Sequence, residues 1–268
     1  NVDLPTGLYE ITVYLGNTMR TSIFSGRNKK DIWNILLIGQ DKREGESGNR
    51  SDTMILCSYN PKTKQLIMTS FLRDLYVPIP GYGKNRINAA YAYGGASLLA
   101  DTLEENFGIP VDGTVQVDFS NFPKILDQLG GVTLELRQDE ADEINRETGG
   151  QLCAGLQTMT GEEALAYSRI RKLDMDGDFS RTDRQRKVLR SVWDQYKNSS
   201  LPTWVKTLGT LLPMVDTDMG NGALLALAVS VFPDLSEIEV VSQKIPEVGQ
   251  CEDKMVGGMA VLVADLNS

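Results

Sequence analysis

The chain has 268 residues, 27 Lys and Arg against 36 Asp and Glu, a net charge of −9 and no histidine. The missing imidazole excludes Ser-His and Cys-His catalysis, histidine general bases and zinc sites built on imidazole. Carboxylates, arginines, lysines or a hard metal must carry any chemistry. A hydrophobic content of 41% and a charged content of 24% suit an ordinary globular protein with a substantial core. No apolar run is long enough to span a bilayer and no signal peptide is visible at Asn1. Because the chain opens on Asn1 rather than Met, the expectation is an excised fragment, so a missing anchor is no evidence that the native protein is free.

In chain order, WNILLIG (33–39) is a short apolar run ending in Gly and reads as a buried strand. DTMILCSY (52–59) reads as a second strand, Asn60-Pro61-Lys62-Thr63 as a turn, and QLIMTSF (65–71) as the returning strand. Apolar residues on both faces of this pair call for a sheet covered on both sides. A helix is expected from Asn88 to Asn106, stopped by Gly108 and Pro110. A strand over 111–119, a helix from Asn121 to Leu129 and a strand over 130–136 follow. Further helices are expected over 160–170, 180–198, 203–212 and 221–230, with a late strand at 237–242. This order predicts an α/β fold in which a mixed central β-sheet is sandwiched between helices on both faces.

The chemically loaded residues fall at the ends of these elements. Asp41 follows the first strand, Asp52 opens the second, and Arg73 and Asp74 close the third. With Arg43 and Arg50 they can meet at one rim, where ligand sites of α/β sheets tend to sit. Two carboxylates on neighbouring strand ends suit a hard cation, and arginines beside them suit a metal-bound pyrophosphate. A turn Asp and a strand-capping Asp are the alternative.

The stretch YSRIRKLDMDGDFSRTDRQRKVLR (167–190) sets eight basic residues, mostly arginines, against four acidic ones in an otherwise acidic chain. Such a reversal points to an anionic partner, because clustered like charge repels itself and arginine forks onto phosphate or carboxylate oxygens. A solvated helix face paired by acidic neighbours accounts for the same pattern. Without interleaved aromatics, and in an acidic chain, it does not read as a nucleic-acid site. Gly81-Tyr82-Gly83-Lys84 lacks the Walker spacing. Of three cysteines, Cys57 reads as a small core residue, while Cys153 and Cys251 are a possible disulfide pair. Leu98, Leu99, Leu103, Phe107, Phe122, Ile125, Leu126 and Leu129 are apolar at helical spacing, which suits core packing or the wall of a lipid channel.

NILLIGQDKREGESGNRSDTMIL, TSFLRDLYVPIPGYGKNRINAAYAYGG, GLQTMTGEEALAYSRIRKLDMDGDFSRTDRQRKVL and IPEVGQCEDKMVGGMAVLVADL together resemble the LytR–CpsA–Psr family of Gram-positive bacteria, from about Trp33 to Leu266. Residues 1–32 are expected to be a linker following a transmembrane helix, and 33–268 the catalytic domain.

The resemblance implies a membrane-anchored phosphotransferase on the extracellular face of the cytoplasmic membrane. It would move a glycopolymer, of teichoic acid or capsular polysaccharide type, from a polyprenyl-pyrophosphate carrier to peptidoglycan. Asp41 and Asp52 match the pair that holds Mg²⁺ (Mn²⁺ being the alternative), and Arg73 matches the pyrophosphate-contacting arginine of the R-D motif. Arg169 and Arg171 match the R-x-R pair; Arg181, Arg184 and Gln185 match R-x-x-R-Q, with Asp178 just before it. Arg86 stands where the family commonly has Lys, and Arg50 joins the expected pyrophosphate-binding set. Asp74 and Asp178 are the candidates to deprotonate a sugar hydroxyl, Asp74 having the orientation of Arg73 as an equal alternative. The same residues would serve a pyrophosphatase acting on polyprenyl or nucleotide pyrophosphates. The arginines alone would serve a non-catalytic binder of anionic polymer or lipid carrier.

Overall fold

A computed structural model of the chain describes residues 8–15, 18–25, 32–40 and 51–264. The strands are β1 (Leu8–Leu15), β2 (Thr18–Ser25), β3 (Trp33–Gln40), β4 (Ser51–Asn60), β5 (Gln65–Phe71), β6 (Tyr76–Ile79) and β7 (Gly83–Arg86) in the first part of the chain. Helix α1 (Asn88–Phe107), β8 (Gly113–Asp118), α2 (Phe122–Gln128), β9 (Val132–Leu136), α3 (Gln138–Thr148), β10 (Gly155–Met159) and α4 (Gly161–Arg169) follow. The remainder is α5 (Asp178–Tyr196), α6 (Leu201–Leu211), β11 (Asp216–Thr217), α7 (Asn221–Val231), β12 (Glu239–Ile245), β13 (Cys251–Val256) and β14 (Met259–Ala264).

The central sheet runs β11-β8-β3-β4-β5-β12. β3 is parallel to β8, and β5 to β12, while β4 lies antiparallel between β3 and β5. The C-terminal ends of β8, β3, β5 and β12 and the start of β4 therefore share one edge. That places Gln40, Ser51 and Phe71, and the residues just beyond them, along a single rim.

Alternation along β3 and β4 sends side chains to two different cores. Leu36, Ile38, Met54 and Leu56 pack with Leu99 and Leu103 of α1 on one face. Ile55, Tyr59, Met68, Ile238 and Val240 pack on the other, against Leu189 and Trp193 of α5 and Val231 of α7. A third core, built on Ile125, Leu126, Leu136, Ile144, Tyr167 and Val188, joins α2, α3, α4 and α5. The expected mixed sheet between helical layers is the observed architecture. In the segment expected to be a linker, β1 and β2 pair antiparallel.

The differences from sequence expectation are local. Helix α1 is broken at Gly94 and Gly95, with Gly95 at φ 66°, so its first six residues form a separate turn-and-a-half ahead of the longer segment. The hairpins β6–β7 and β13–β14, helix α3 and strand β10 were not anticipated. Cys153 and Cys251 do not pair; all three cysteines are free, Cys153 in the exposed loop before β10 and Cys251 at the start of β13. The eight apolar residues suggested for a channel wall belong to the cores, four packing with α1 and four around α2.

Helix α4 starts with a reciprocal cap: Glu163 N donates to Thr160 Oγ1 at 3.3 Å, and Thr160 N donates to Glu163 Oε2 at 2.8 Å. Its first residue, Gly161, lies against α2, where an added Cβ would sit 1.9 Å from the Pro123 carbonyl oxygen. Gly161→Ala is therefore expected to separate α4 from α2 and destabilise the fold by about 2–3 kcal/mol. A thermal melt should fall by several degrees, and an unchanged midpoint would contradict the close approach.

Candidate active site

The rim carries an interleaved cluster of four guanidinium groups and three carboxylates. Arg73, just past β5, donates through Nη1 to Asp52 Oδ1 at 2.6 Å. Its Nε lies 3.6 Å from Asp74 Oδ2 and 3.8 Å from Asp178 Oδ2. Asp178 opens α5 and is shared three ways, meeting Arg171 Nη2 at 3.0 Å and accepting from Arg181 Nη2 at 2.8 Å besides facing Arg73. Arg181 Nη2 also donates to the Asp52 carbonyl oxygen at 3.3 Å, tying α5 to the start of β4. Arg86, the last residue of β7, lies 3.2 Å from Asp74 Oδ1 and closes the cluster on the far side.

The start of β4, the end of β5, a hairpin, the segment after α4 and a helix start thus meet at residues far apart in sequence. Local chain geometry explains part of this. Asp178 and Arg181 are three apart on a helix and so face the same way, and Asp178 in the first turn interacts favourably with the helix dipole.

The cluster is under-supplied with acceptors. Among the described residues, Arg73 Nε, Arg86 Nε and Arg181 Nε are buried without a hydrogen-bond partner, and Arg171 Nη2 has only its ion pair with Asp178. Buried donors without acceptors are costly, and guanidinium forks match oxygens of a polyanion. Burial, reinforced by the neighbouring Arg73 and Arg171 charges against the pull of Asp178, pushes Arg181 down to about 10. It remains protonated at neutral pH. For Arg73, burial works to lower the value, but Asp178, Asp52 and Asp74 together outweigh it and hold the group above its ordinary value.

Of the residues expected at the site, Asp52, Arg73, Asp74, Arg86, Arg171, Asp178 and Arg181 are brought together. Gln185 is half-buried one turn beyond Arg181, on the same helix face. Arg169 is exposed beside the cluster's rim, its guanidinium 4.8 Å from the ring centre of Phe119, which follows β8. Arg184 is placed elsewhere: its Nε donates to Glu140 Oε1 at 2.9 Å, Nη2 to Asp174, and Nη1 to the Ile170 carbonyl oxygen at 3.3 Å. That buried ion-pair network locks α5 to α3 and to the 170–174 turn, and it uses up the fork. The rest of the basic stretch is likewise dispersed, Arg186 pairing with Asp183 and Arg190 with Asp194 and the Val240 carbonyl.

Asp41, Arg43 and Arg50 lie outside the described residues. Among the described residues, no group of three or more carboxylate or thiol side chains gathers to hold a metal. Asp52 has one oxygen committed to Arg73 and a second with no hydrogen-bond partner among described residues, and an all-oxygen donor set is what Mg²⁺ prefers.

A second feature lies on the sheet face opposite α1. A cavity of about 250 Å³ opens among β3, β4, β5, α5, α6 and α7, lined almost wholly by apolar side chains. All three tryptophans of the chain, Trp33, Trp193 and Trp204, line it, with Tyr59, Leu208 and Leu227. Burial pushes the Cys57 thiol in its wall up to about 12, so it is an apolar wall residue rather than a nucleophile. Cavity and cluster share α5: Arg181 near its start and Trp193 near its end are about 18 Å apart along the axis. The sequence signal for this cavity was the tryptophans together with the apolar segments of α6 and α7. No helix among the described residues is long and apolar enough to cross a membrane.

Residues 8–267 match the LytR_cpsA_psr family. The chain is 39% identical over 207 residues to the polyisoprenyl-teichoic acid–peptidoglycan teichoic acid transferase TagU of Oceanobacillus iheyensis, spanning 74% of this chain and 62% of that protein. It is 38% identical over 223 residues to the corresponding transferase TagT of Bacillus subtilis, spanning 79% of this chain and 66% of the relative. A solved structure of TagT with bound octaprenyl pyrophosphate lipid superposes with a TM-score of 0.66 at 30% identity, covering 88% of this chain and 85% of that one. The chain thus spans about three fifths of the length of these two curated transferases.

Arg181 and Arg184 stand three residues apart in one motif, and the structure separates their work. Arg181→Met should cost less stability than Arg184→Met, since Asp178 keeps Arg171 and Arg73, and should weaken binding of inorganic pyrophosphate by at least about tenfold, the loss of one charge-assisted donor pair. Arg184→Met should strand Glu140 and Asp174 without their cation and cost about 3–5 kcal/mol of stability. Calorimetric titration and thermal melts on the two variants check both halves, and equal melting losses would refute the division.

Proposed function

The chain belongs to the LytR–CpsA–Psr family, and we propose that it is a phosphotransferase moving a glycopolymer from a polyprenyl-pyrophosphate carrier to peptidoglycan at the outer face of the cytoplasmic membrane of a Gram-positive cell. The observation that carries this reading is the pairing, along α5, of an acceptor-poor arginine cluster with an apolar cavity. A lipid diphosphate has the same two parts. The polyprenyl chain would lie toward the cavity and the diphosphate would fill the open donors of Arg73, Arg86, Arg171 and Arg181. The relative TagT, solved with octaprenyl pyrophosphate, supports a ligand of this class.

The residues then divide the labour of the reaction. The oxygen of an acceptor sugar hydroxyl attacks the phosphorus on the glycan side, and the bond from that phosphorus to the bridging oxygen breaks. The lipid phosphate leaves with the bond's electron pair. Four guanidiniums fixed before substrate arrives neutralise the oxygens where charge grows, which is the main lever available for phosphoryl transfer.

The hydroxyl's proton needs an acceptor. Asp178 is spanned on both oxygens by Arg171 and Arg181 and is better suited to hold them in place. Asp74, contacted only at 3.2 and 3.6 Å, keeps lone pairs free and is the carboxylate we assign to take the proton. Mg²⁺ (or Mn²⁺) held by Asp52 and Asp41 would add Lewis-acid neutralisation of the diphosphate oxygens.

The reading is tested by supplying a polyprenyl-pyrophosphate-linked glycan with and without peptidoglycan fragments, in Mg²⁺, to the wild type and to Asp52→Ala and Arg73→Ala. Glycan should appear on peptidoglycan and fall at least about a hundredfold in both variants, the usual scale for losing an electrostatic stabiliser. Phosphate release without transfer would replace the reading with a pyrophosphatase. Binding without turnover would replace it with a carrier-binding protein.

A further inference from the structure

Beside the arginine cluster the surface presents two tyrosines stacked on each other and open to water. Tyr82, at the turn between β6 and β7, and Tyr93, on the first segment of α1, have ring centres 4.7 Å apart and planes inclined by 20°. Their exposures of 58% and 44% leave the outer faces in solvent. Aromatic stacking stabilises a fold mainly through burial, and about half of each of these side chains stays in water, so packing accounts for only part of the pair. The pair is also wired to the cluster. Asn85 Nδ2 donates to the Tyr93 hydroxyl at 2.7 Å, and Asn85 Oδ1 accepts from the backbone N–H of Arg86 at 2.8 Å. Arg86 in turn meets Asp74.

We propose that Tyr82 and Tyr93 form a pyranose-binding platform that holds a glycan against the arginine cluster. The chemistry follows from the side chains. The face of a tyrosine ring is electron-rich and flat, and it attracts the weakly positive C–H groups on one face of a sugar ring. Its rigidity means that little side-chain freedom is lost on contact. The hydroxyls of Tyr82 and Tyr93, the Asn85 amide and the exposed Lys84 ammonium offer hydrogen-bonding groups at the platform's edge for sugar hydroxyls.

Position fits as well. Tyr82 is four residues from Arg86, on the order of 13 Å along an extended strand, about the length of a disaccharide. The break at Gly94–Gly95 turns the chain immediately after Tyr93, and an added Cβ at Gly94 would meet the Leu98 side chain at 2.6 Å. The glycines thereby let the segment bearing Tyr93 turn while lying close against Leu98 of the long part of α1. The platform rests on the transfer reading only for where its glycan comes from: the donor polymer's first sugars or the peptidoglycan acceptor.

The test is a binding titration of the full chain, followed by ligand-observed NMR and calorimetry, in the wild type, Tyr82→Ala, Tyr93→Ala and Tyr82→Phe. One probe is a short, neutral β-1,4-linked N-acetylglucosamine oligomer. A second is UDP-N-acetylglucosamine, whose sugar is joined to a diphosphate. Inorganic pyrophosphate is the control. Affinity for at least one sugar probe should drop about tenfold in both alanine variants and be kept in Tyr82→Phe, with melting points and pyrophosphate affinity unchanged in Tyr82→Ala.

Loss confined to the neutral oligomer assigns the platform to the acceptor glycan; loss confined to the sugar diphosphate assigns it to the donor. Sugar affinities unchanged in both alanine variants, or no sugar binding by the wild type, would overturn the proposal. If the wild type binds the oligomer through the tyrosines but fails to bind pyrophosphate, the platform stands and the transfer reading falls.

Discussion

Placing four guanidinium groups within reach of one small anion is an electrostatic problem before it is a catalytic device. Arg73, Arg86, Arg171 and Arg181 would repel one another in the folded chain, and burial makes the repulsion worse. Interleaving Asp52, Asp74 and Asp178 resolves it. Each carboxylate touches at least one arginine and Asp178 faces three, so the array can form with no ligand present. Among the described residues neutralisation is incomplete: three carboxylates face four forks, and the Nε donors of Arg73, Arg86 and Arg181 have no hydrogen-bond partner. A preorganised array of this kind needs no reorganisation when charge develops, which is where electrostatic catalysis gains most.

The scaffold answers to the same constraint. A site assembled from the ends of β4, β5 and β7 and the start of α5 holds its geometry only if α5 cannot slide. Buried charge does much of that anchoring. Arg184 ties α5 to Glu140 of α3 and to Asp174, while Asp183 meets Lys244 of β12 at 3.0 Å. Further along, Arg190 donates to the Val240 carbonyl at 2.7 Å. The basic stretch therefore serves two purposes, with Arg171 and Arg181 turned to the site and Arg184, Arg186 and Arg190 turned to the frame.

What could be read in the sequence follows the strength of each physical signal. The central strands were readable because short apolar runs and the Asn60-Pro61 turn mark their ends and their antiparallel pairing. The rim was readable for the same reason, since strand ends place Asp52, Arg73 and Asp74 together once the register is known. Helix α3 carries little apolar signal because it is almost wholly polar, with Ala141 and Ile144 its only apolar residues, and buries only these two and Glu140. The β6–β7 hairpin escaped because Pro78, Pro80, Gly81 and Gly83 look like loop, although Pro is tolerated on a short two-stranded edge. Arg181 and Arg184 could not be told apart, because the residues that claim Arg184, Glu140 and Asp174, are set by tertiary packing. Periodic leucines fill the cores and do not mark the apolar cavity; its walls are residues scattered over β3, β4, β5, α5, α6 and α7, which only the tertiary fold brings together.

The cavity also bears on why this part of the fold is loosely filled. Helix α6 is mostly apolar, yet none of its residues is fully buried, and it curls over open space beside the sheet. A void of about 250 Å³ left in an apolar layer forgoes stabilisation on the order of several kcal/mol compared with a close-packed core. A chain selected for stability alone would fill it with larger side chains, and the three tryptophans already there show that bulk was available. The void persists with bulky residues lining it, an arrangement suited to the hydrocarbon chain of the proposed ligand. Unfilled guanidinium donors near the start of α5 and open apolar space near its end are then two halves of the proposed specificity: a ligand polyanionic toward the start of the helix and apolar toward its end would relieve both.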